Sequence, residues 1–414
     1  MINEDEIDIH NEVSINVVRQ DFISGAIECL RDRKNIREIR VCDGDNICLE
    51  RLMKMNFFCK VLNIECDGNL DFVTPGGCWI EELSIRIKNF DTCIFRSCSI
   101  GKIIVIAQGD GNKNIDLTGV SNEVILSFGN HDRIDIKLNE ELQILDLRGF
   151  DINKTLANNQ LRSLKDLSSE NTEILNLESL DISHMEELRL SGVKKLVIPK
   201  SQSFARLNRI SAHHMELDEL LVKVQTGAIS DLSLKMEHVH EATESEIHWI
   251  KSMTNLESIY LWDFMGAKKL AGIGPLKHIN IHNGGVDMDF LNHLDVTTVE
   301  TIGIGEQSLK DVKYWQRFVN IRRLMLSKYR FEAGEFRQFQ RLKHILVFQA
   351  KDLYKLAEDI EYMPDFYGLT IYSSRVYDRD WNRFRKCLPE GRTLIVNLVN
   401  CEQNRYATTV VISS

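Results

Sequence analysis

Apolar residues recur along this chain in one short pattern: apolar, two variable, apolar, one variable, apolar. It reads IREIRV from Ile36, CKVLNI from Cys59, IEELSI from Ile80, IGKIIV from Ile100, LQILDL from Leu142, MEELRL from Met185, VKKLVI from Val193 and ISDLSL from Ile229. It continues as LESIYL from Leu256, LKHINI from Leu276, VETIGI from Val299, IRRLML from Ile321, LKHILV from Leu342 and FYGLTI from Phe366. Many successive starts lie 20 to 24 residues apart. Alternation at a period of two predicts a short strand in each unit. Ile259 and Leu261 would point to one side, Tyr260 and Trp262 to the other. A single strand cannot bury its apolar side alone, so neighbouring repeats must stack into a continuous core.

The pattern resembles the leucine-rich repeat family, whose repeats of about 20–29 residues are built around L-x-x-L-x-L. The resemblance spans roughly residues 36–400 and implies an α/β repeat solenoid, a horseshoe with a parallel sheet on its concave face. The family usually carries Asn or Cys three positions after the last apolar strand residue. Here Phe150, Val193, Phe264, Gly284, Gln307, Tyr329 and Ala350 stand there, so the asparagine ladder is missing and the repeats are irregular. Between Asn122 and Ile198, apolar triplets come at half spacing (HDRIDI, TEILNL, VKKLVI), which predicts a β-helix-like middle section with strands on two faces. Farther on, LKDVKYWQRF and EAGEFRQFQR predict helices between strands. Residues 1–35 are expected to form an N-terminal helical cap, with an amphipathic helix over Ser14 to Arg33. The solenoid would occupy 36–400, and 401–414 a C-terminal capping strand, with ATTVVI pairing back as a hairpin.

At 414 residues the chain exceeds one ordinary core, which stops growing near about 250–300 residues. Five prolines and no Gly/Ser-rich stretch leave no linker, which fits growth by adding repeats. Apolar residues make up 43% and charged residues 27%, ordinary for a globular chain. No apolar run reaches the roughly 18–20 residues of a membrane helix. The acidic start MINEDEIDIH does not read as a targeting peptide, so a cytoplasmic setting is expected. Eight of ten cysteines lie between Cys29 and Cys98 with no C-x-x-C pair, which predicts buried apolar thiols instead of a zinc site or a disulfide framework.

No P-loop, G-x-S-x-G elbow or H-E-x-x-H motif is present, so neither an enzyme nor a cofactor is expected. His240, Glu244 and His248 in HVHEATESEIHW would line one face of a helix. The outer two, however, would lie about 12 Å apart by helical rise, too far for one ion. A solvated helix in the long step from Ile229 to Leu256 is expected there, without a metal.

The outward strand positions hold Lys235, Tyr260, Trp262, His278, Asn280, His282, Arg323, Met325, His344, Phe348 and Tyr372. With strands about 5 Å apart they would form one band. Aromatic, Arg and Met side chains with few carboxylates make the composition of a protein-binding hot spot. Between Lys310 and Lys343, ten Lys/Arg stand against three Asp/Glu in a chain of net charge −10. That basic run, with Lys310, Lys313, Arg317, Arg337 and Arg341 on outer helices, reads first as a solvated face. The acidic whole disfavours nucleic acid. The chain therefore reads as a noncatalytic solenoid that grips a protein partner along its strand face. The acidic body suits a basic partner, and the favoured form is an immunity or antagonist protein that neutralises a toxin or effector. The alternatives are a sensor or recruiting scaffold, or a receptor for a small anionic ligand held by Arg323, His278 and His344.

Overall fold

Parallel strands, one or two per repeat, build most of this protein. The computed structural model describes residues 13–17, 36–42, 58–69, 72–73, 78–96, 98–108, 113–131, 134–150, 152–270, 272–282, 291, 294, 296–304, 317–372, 382, 384, 386, 388–399 and 408–413. Two compact units divide the chain: Met1–Leu207 with His214–Gln225, and Asn208–His213 with Thr226–Ser414.

The first unit contains β1 (Val13–Val17), β2 (Ile36–Cys42), β3 (Phe58–Asn69), β4 (Phe72–Val73), β5 (Trp79–Asn89), β6 (Thr92–Ile94), β7 (Ser99–Ala107) and β8 (Lys113–Leu117). It continues with β9 (Val120–His131), β10 (Ile134–Leu138), β11 (Ile144–Phe150), α1 (Asn153–Asn158), β12 (Asp166–Glu170), β13 (Ile174–Asn176), β14 (Glu187–Ser191), β15 (Lys195–Val197) and α2 (Asp218–Lys223). Its main sheet runs β1-β2-β3-β5-β7-β9-β11-β12-β14, every pair parallel. A second parallel sheet, β4-β6-β8-β10, and the pair β13-β15 form another face. The three half-spaced triplets supply β10, β13 and β15. The two-faced section begins earlier than the sequence pattern suggests, at Phe72. Leu83, Ile103, Val124 and Leu145 stack through the core. Aromatic rings pack across successive repeats: Phe90 on Phe128 at 5.7 Å, and Phe128 on Phe150, which stands at the ladder position, at 5.4 Å.

The second unit contains β16 (Arg209–His213), β17 (Asp231–Glu241), α3 (Glu244–Lys251), β18 (Ser258–Met265), β19 (His278–His282), β20 (Thr301–Ile304), β21 (Arg323–Ser327) and β22 (His344–Phe348). It ends with α4 (Tyr354–Ala357), β23 (Gly368–Tyr372), β24 (Thr393–Val399) and β25 (Thr408–Ser413). Strands β16 to β24 pair in sequence order, all parallel. β25 turns back antiparallel on β24 and pairs along the edge that would otherwise stay open. Two unbroken apolar columns form the core. One begins Ile259, Ile279, Ile302, Leu324, Ile345, Leu369; the other begins Leu261, Ile281, Ile304, Leu326, Val347, Ile371.

Three local expectations change. Ser14 to Val17 lie in a strand, not a helix. The sequence there alternates Val13, Ile15, Val17, and β1 pairs in register with β2 (Ile15 with Ile39); residues 18–35 lie outside the described residues. EAGEFRQFQR forms turns. Gly334 takes φ +88°, Phe336 and Phe339 are buried, and the buried Asp359 carboxylate accepts from the Gly334 and Phe336 amides and from Arg337 Nε. LKDVKYWQRF falls outside the described residues except for Arg317 and Phe318. His240 sits on β17 and not on the helix, which starts after Thr243 with a reciprocal Thr243–Glu246 cap; the His240 ring bonds Glu246 at 2.9 Å.

Candidate partner-binding face

Every outward position of the second unit follows from the period of two, and the register arranges these positions in three rows that cross the strands. The first row runs Ser258, His278, Thr301, Arg323, His344, Gly368. The second runs Tyr260, Asn280, Gly303, Met325, Leu346, Thr370. The third holds Lys235, Trp262 and His282, then Ser327, Phe348 and Tyr372. From β18 to β23 no carboxylate occupies the described positions of these rows.

Two aromatic clusters stand in the third row. Trp262 stacks on His282 with ring centroids 4.8 Å apart, and Tyr260 approaches that His282 ring at 5.8 Å. Lys235 Nζ lies 5.0 Å over the Trp262 ring, a cation on an electron-rich face. Tyr260 and Trp262 are half-buried, and His282 is buried beneath them. Burial pushes the Tyr260 phenol up to about 12 and holds the His282 imidazole below its usual range, so both are neutral near pH 7. In the second cluster Phe348 stacks on Tyr372 at 4.6 Å. Ser327 stands before it in register, so the aromatic band is two patches and not one strip.

The first row is polar and cationic. His278 Nδ1 lies 3.0 Å from the Thr301 hydroxyl, and His344 Nε2 lies 3.0 Å from that of Thr370. Arg323 is exposed and, among the described residues, has no carboxylate partner. Burial and the nearby Arg323 guanidinium lower the His344 pKa. In the first and second rows, glycines make room for larger neighbours. A Cβ on Gly303 would overlap the Asn280 amide, and one on Gly368 would overlap the His344 ring. Asn280 Nδ2 reaches past Gly303 to within 3.9 Å of Met325 Sδ, while its Oδ1 is buried without a partner.

Three arginines of the basic run pair with carboxylates of neighbouring repeats, and two more donate to neutral acceptors. Arg322 meets Glu300 at 3.8 Å, Arg330 meets Asp352 at 2.9 Å, and Arg337 meets the buried Asp359 at 3.0 Å while lying over Tyr362. Arg341 donates to Asn320, and Arg317 to the Leu294 carbonyl. Lys310 and Lys313 lie outside the described residues. Among the described residues no group of three or more His, Cys, Asp or Glu could hold a metal. No described helix is long and apolar enough to cross a membrane.

The first unit's outward rows differ in kind. They carry charge-paired and aliphatic side chains such as Arg40 with Glu38, Lys102 with Glu123 and Arg148 with Asp146, beside Ile104 and Ile125. Sequence reasoning missed three residues of the second unit's face: His213, which bridges the Ser211 and Ser233 hydroxyls, together with Leu346 and Thr370. The signal was available for Leu346 and Thr370, which fill the outward fifth slot of their hexads; His213 follows LNRISA, where Ala212 in the last core slot weakens the pattern.

Two solved structures are similar to this chain at low identity. A leucine-rich-repeat protein of Leptospira interrogans shares 11% identity with a TM-score of 0.40, covering 91% of this chain and 98% of that one. An internalin of Listeria monocytogenes shares 13% identity with a TM-score of 0.29, covering 88% of this chain and 87% of that one. No protein-family pattern matches the chain, and neither does any curated protein. The fold itself, one or two parallel strands per short apolar repeat, is leucine-rich-repeat-like by its own register.

Proposed function

We propose that the protein is a noncatalytic binding solenoid that grips a protein partner on the strand face of its second unit. The observation that carries this reading is the cluster of Tyr260, Trp262 and His282, two half-buried rings over a buried one, on a face whose described rows hold no carboxylate from β18 to β23. Rigid aromatic side chains bury large area at low entropic cost, which makes them the usual anchors of an interface. Each repeat presents different side chains, which suits one partner over many. Within this reading we favour an antagonist or immunity role in the cytoplasm; a sensor or recruiting scaffold would use the same face. The basic partner suggested by the net charge finds no acidic counterpart on these rows. A partner offering aromatic and hydrogen-bond-accepting groups fits them better.

A receptor for a small anion is the second reading, favoured by one observation: Arg323 stands exposed between Thr301 and His344 with no carboxylate beside it among the described residues. Salt separates the two. An anion held by one guanidinium is released steeply as ionic strength rises, whereas an aromatic-centred footprint is not.

The experiment is affinity purification from the native cell with three baits: wild type, Tyr260→Ala/Trp262→Ala, and Ile104→Ala/Ile125→Ala on the first unit's face. One stoichiometric protein held by the first and third and lost by the second is the expected result, with all three baits equally folded. Equal retention by all three overturns the assignment of the face.

A further inference from the structure

Cys78 and Cys98 lie in the first unit, each one residue before a strand, β5 and β7, whose register sets Trp79 opposite Ser99. The backbone holds the two cysteines side by side, with the Ser99 amide donating to the Cys78 carbonyl at 3.1 Å. Adjacent strands run about 4.8 Å apart, inside the roughly 4.4–6.8 Å that a disulfide spans between Cα atoms. Both side chains are buried, 3% and 5% exposed, and the Cys78 thiol donates to the Cys98 sulfur at 2.8 Å. A covalent S–S bond is about 2.05 Å long, so the sulfurs need to close by under about 1 Å. Among the other described cysteines, Cys93 is buried on β6. Cys59 donates to the Val61 carbonyl, and Cys42 and Cys66 are only half-buried.

We propose that Cys78 and Cys98 are a modification site: under peroxide they close into a disulfide that links two consecutive repeats. The inference is independent of the partner-binding reading. One sulfur attacks hydrogen peroxide, forming an S–O bond as the O–O bond breaks and the first water leaves. The second sulfur attacks that sulfenic sulfur, forming the S–S bond as the S–O bond breaks and a second water leaves. Two thiols lose two electrons, the peroxide gains them, and both thiol protons end in water. The hydrogen bond to Cys98, together with burial, raises the Cys78 pKa, so thiolate is scarce and the reaction is slower than at an exposed cysteine. Once formed, the bond closes a loop between residues 20 apart and restricts the unfolded chain.

The test uses the full chain, reduced, freed of reductant and treated with hydrogen peroxide. Samples taken over time are alkylated under denaturing conditions and mapped by mass spectrometry. The expected result is a 78–98 linked peptide, absent from Cys78→Ala and Cys98→Ala, together with a Tm several degrees above that of the reduced wild type. In each alanine variant the remaining thiol would stop at the sulfenic or sulfinic stage or stay alkylatable. Full alkylation of both residues in the oxidised wild type overturns the proposal. So does linkage of either one chiefly to another cysteine, or a linked species with no gain in Tm.

Discussion

Trp262 lies nearly flat on His282, with ring centroids 4.8 Å apart and 21° between the planes, and together they join two neighbouring repeats on the outward face. Because His282 is covered by this stack, its imidazole titrates below the ordinary histidine range. Trp262→Ala uncovers it. The expected outcome is a rise of the His282 pKa towards its usual value, followed by NMR, with the core intact because Ile259 and Leu261 face the other way. Adding Tyr260→Ala should weaken binding of the partner by several kcal/mol, the scale of interface hot spots. A His282 titration unmoved by Trp262→Ala would mean that the stack does not shield it.

Acid should destabilise the second unit through the same ring. His282 and His344 both have folded pKa values below the usual one of about 6.5, so the unfolded chain binds more protons than the folded one as pH falls past that value. Stability is therefore fully present above about 6.5, falls as pH drops through the window below it, and levels off under the folded values. His282→Phe keeps an aromatic ring against Trp262 and removes one titration. The drop in Tm between pH 7 and 5 should be smaller in that variant than in wild type. An equal drop in both would remove His282 from the acid response.

Leu324 and Met325 are neighbours in sequence with opposite fates. Leu324 is fully buried between Ile302 and Ile345, and Met325 lies half-buried on the outward face. Leu324→Ala is expected to cost roughly 2–5 kcal/mol by opening a cavity. Met325→Ala should cost clearly less, as measured by denaturant unfolding. Similar losses at both sites would contradict the facing of β21.

The hexad pattern makes the main strands legible because position and chemistry coincide: each of the fourteen hexads meets a strand. The repeats it misses fail for identifiable reasons. In LKDLSS from Leu164 the last core slot is Ser169, buried at 1% and bonded to Thr172. In LNRISA from Leu207 that slot is Ala212. At β9 one extra residue separates Val120 from Val124, and the register against β7 shifts there. The connections were less legible. EAGEFRQFQR has helical periodicity, yet its amides are held by Asp359, 23 to 25 residues away, and no local pattern reports that contact. The outward rows were readable residue by residue, but their meeting depends on register. Gly303 and Ser327 break the band, and a list of outward positions does not show the gap.

Strand exits carry a recurring strain. Asn171, His214, Lys328 and Gln349 each follow a strand with positive φ, at 60°, 54°, 50° and 55°, where Gly192 does the same after β14 at 65°. A non-glycine residue in this region costs about 1–2 kcal/mol, partly offset by the greater freedom of glycine when unfolded. Gln349 is exposed, and its amide bonds the Tyr372 carbonyl at 3.0 Å, a contact that glycine keeps. Gln349→Gly should therefore raise stability, by about 0.5–1 kcal/mol. A loss of stability in denaturant unfolding would show that the side chain contributes more than the backbone strain it imposes.

Gly303 is required by its neighbour and not by its own backbone, since its φ is not in the left-handed region. The Asn280 amide lies across the space that a Cβ on Gly303 would occupy, between Tyr260 in one direction and Met325 in the other. Gly303→Ala must push that amide aside. Its Oδ1 already lacks a partner, so the cost comes from displaced packing and from the weak Nδ2 hydrogen bond to Met325 Sδ at 3.9 Å. The substitution alone is expected to destabilise the second unit. Combined with Asn280→Ala, which empties the space, it should regain most of the loss, because alanine suits a strand better than glycine. A double-mutant cycle read by denaturant unfolding measures this as a favourable coupling between the two sites. Simple additivity would show that Asn280 does not hold its place over Gly303, and that the second row is open between β18 and β21.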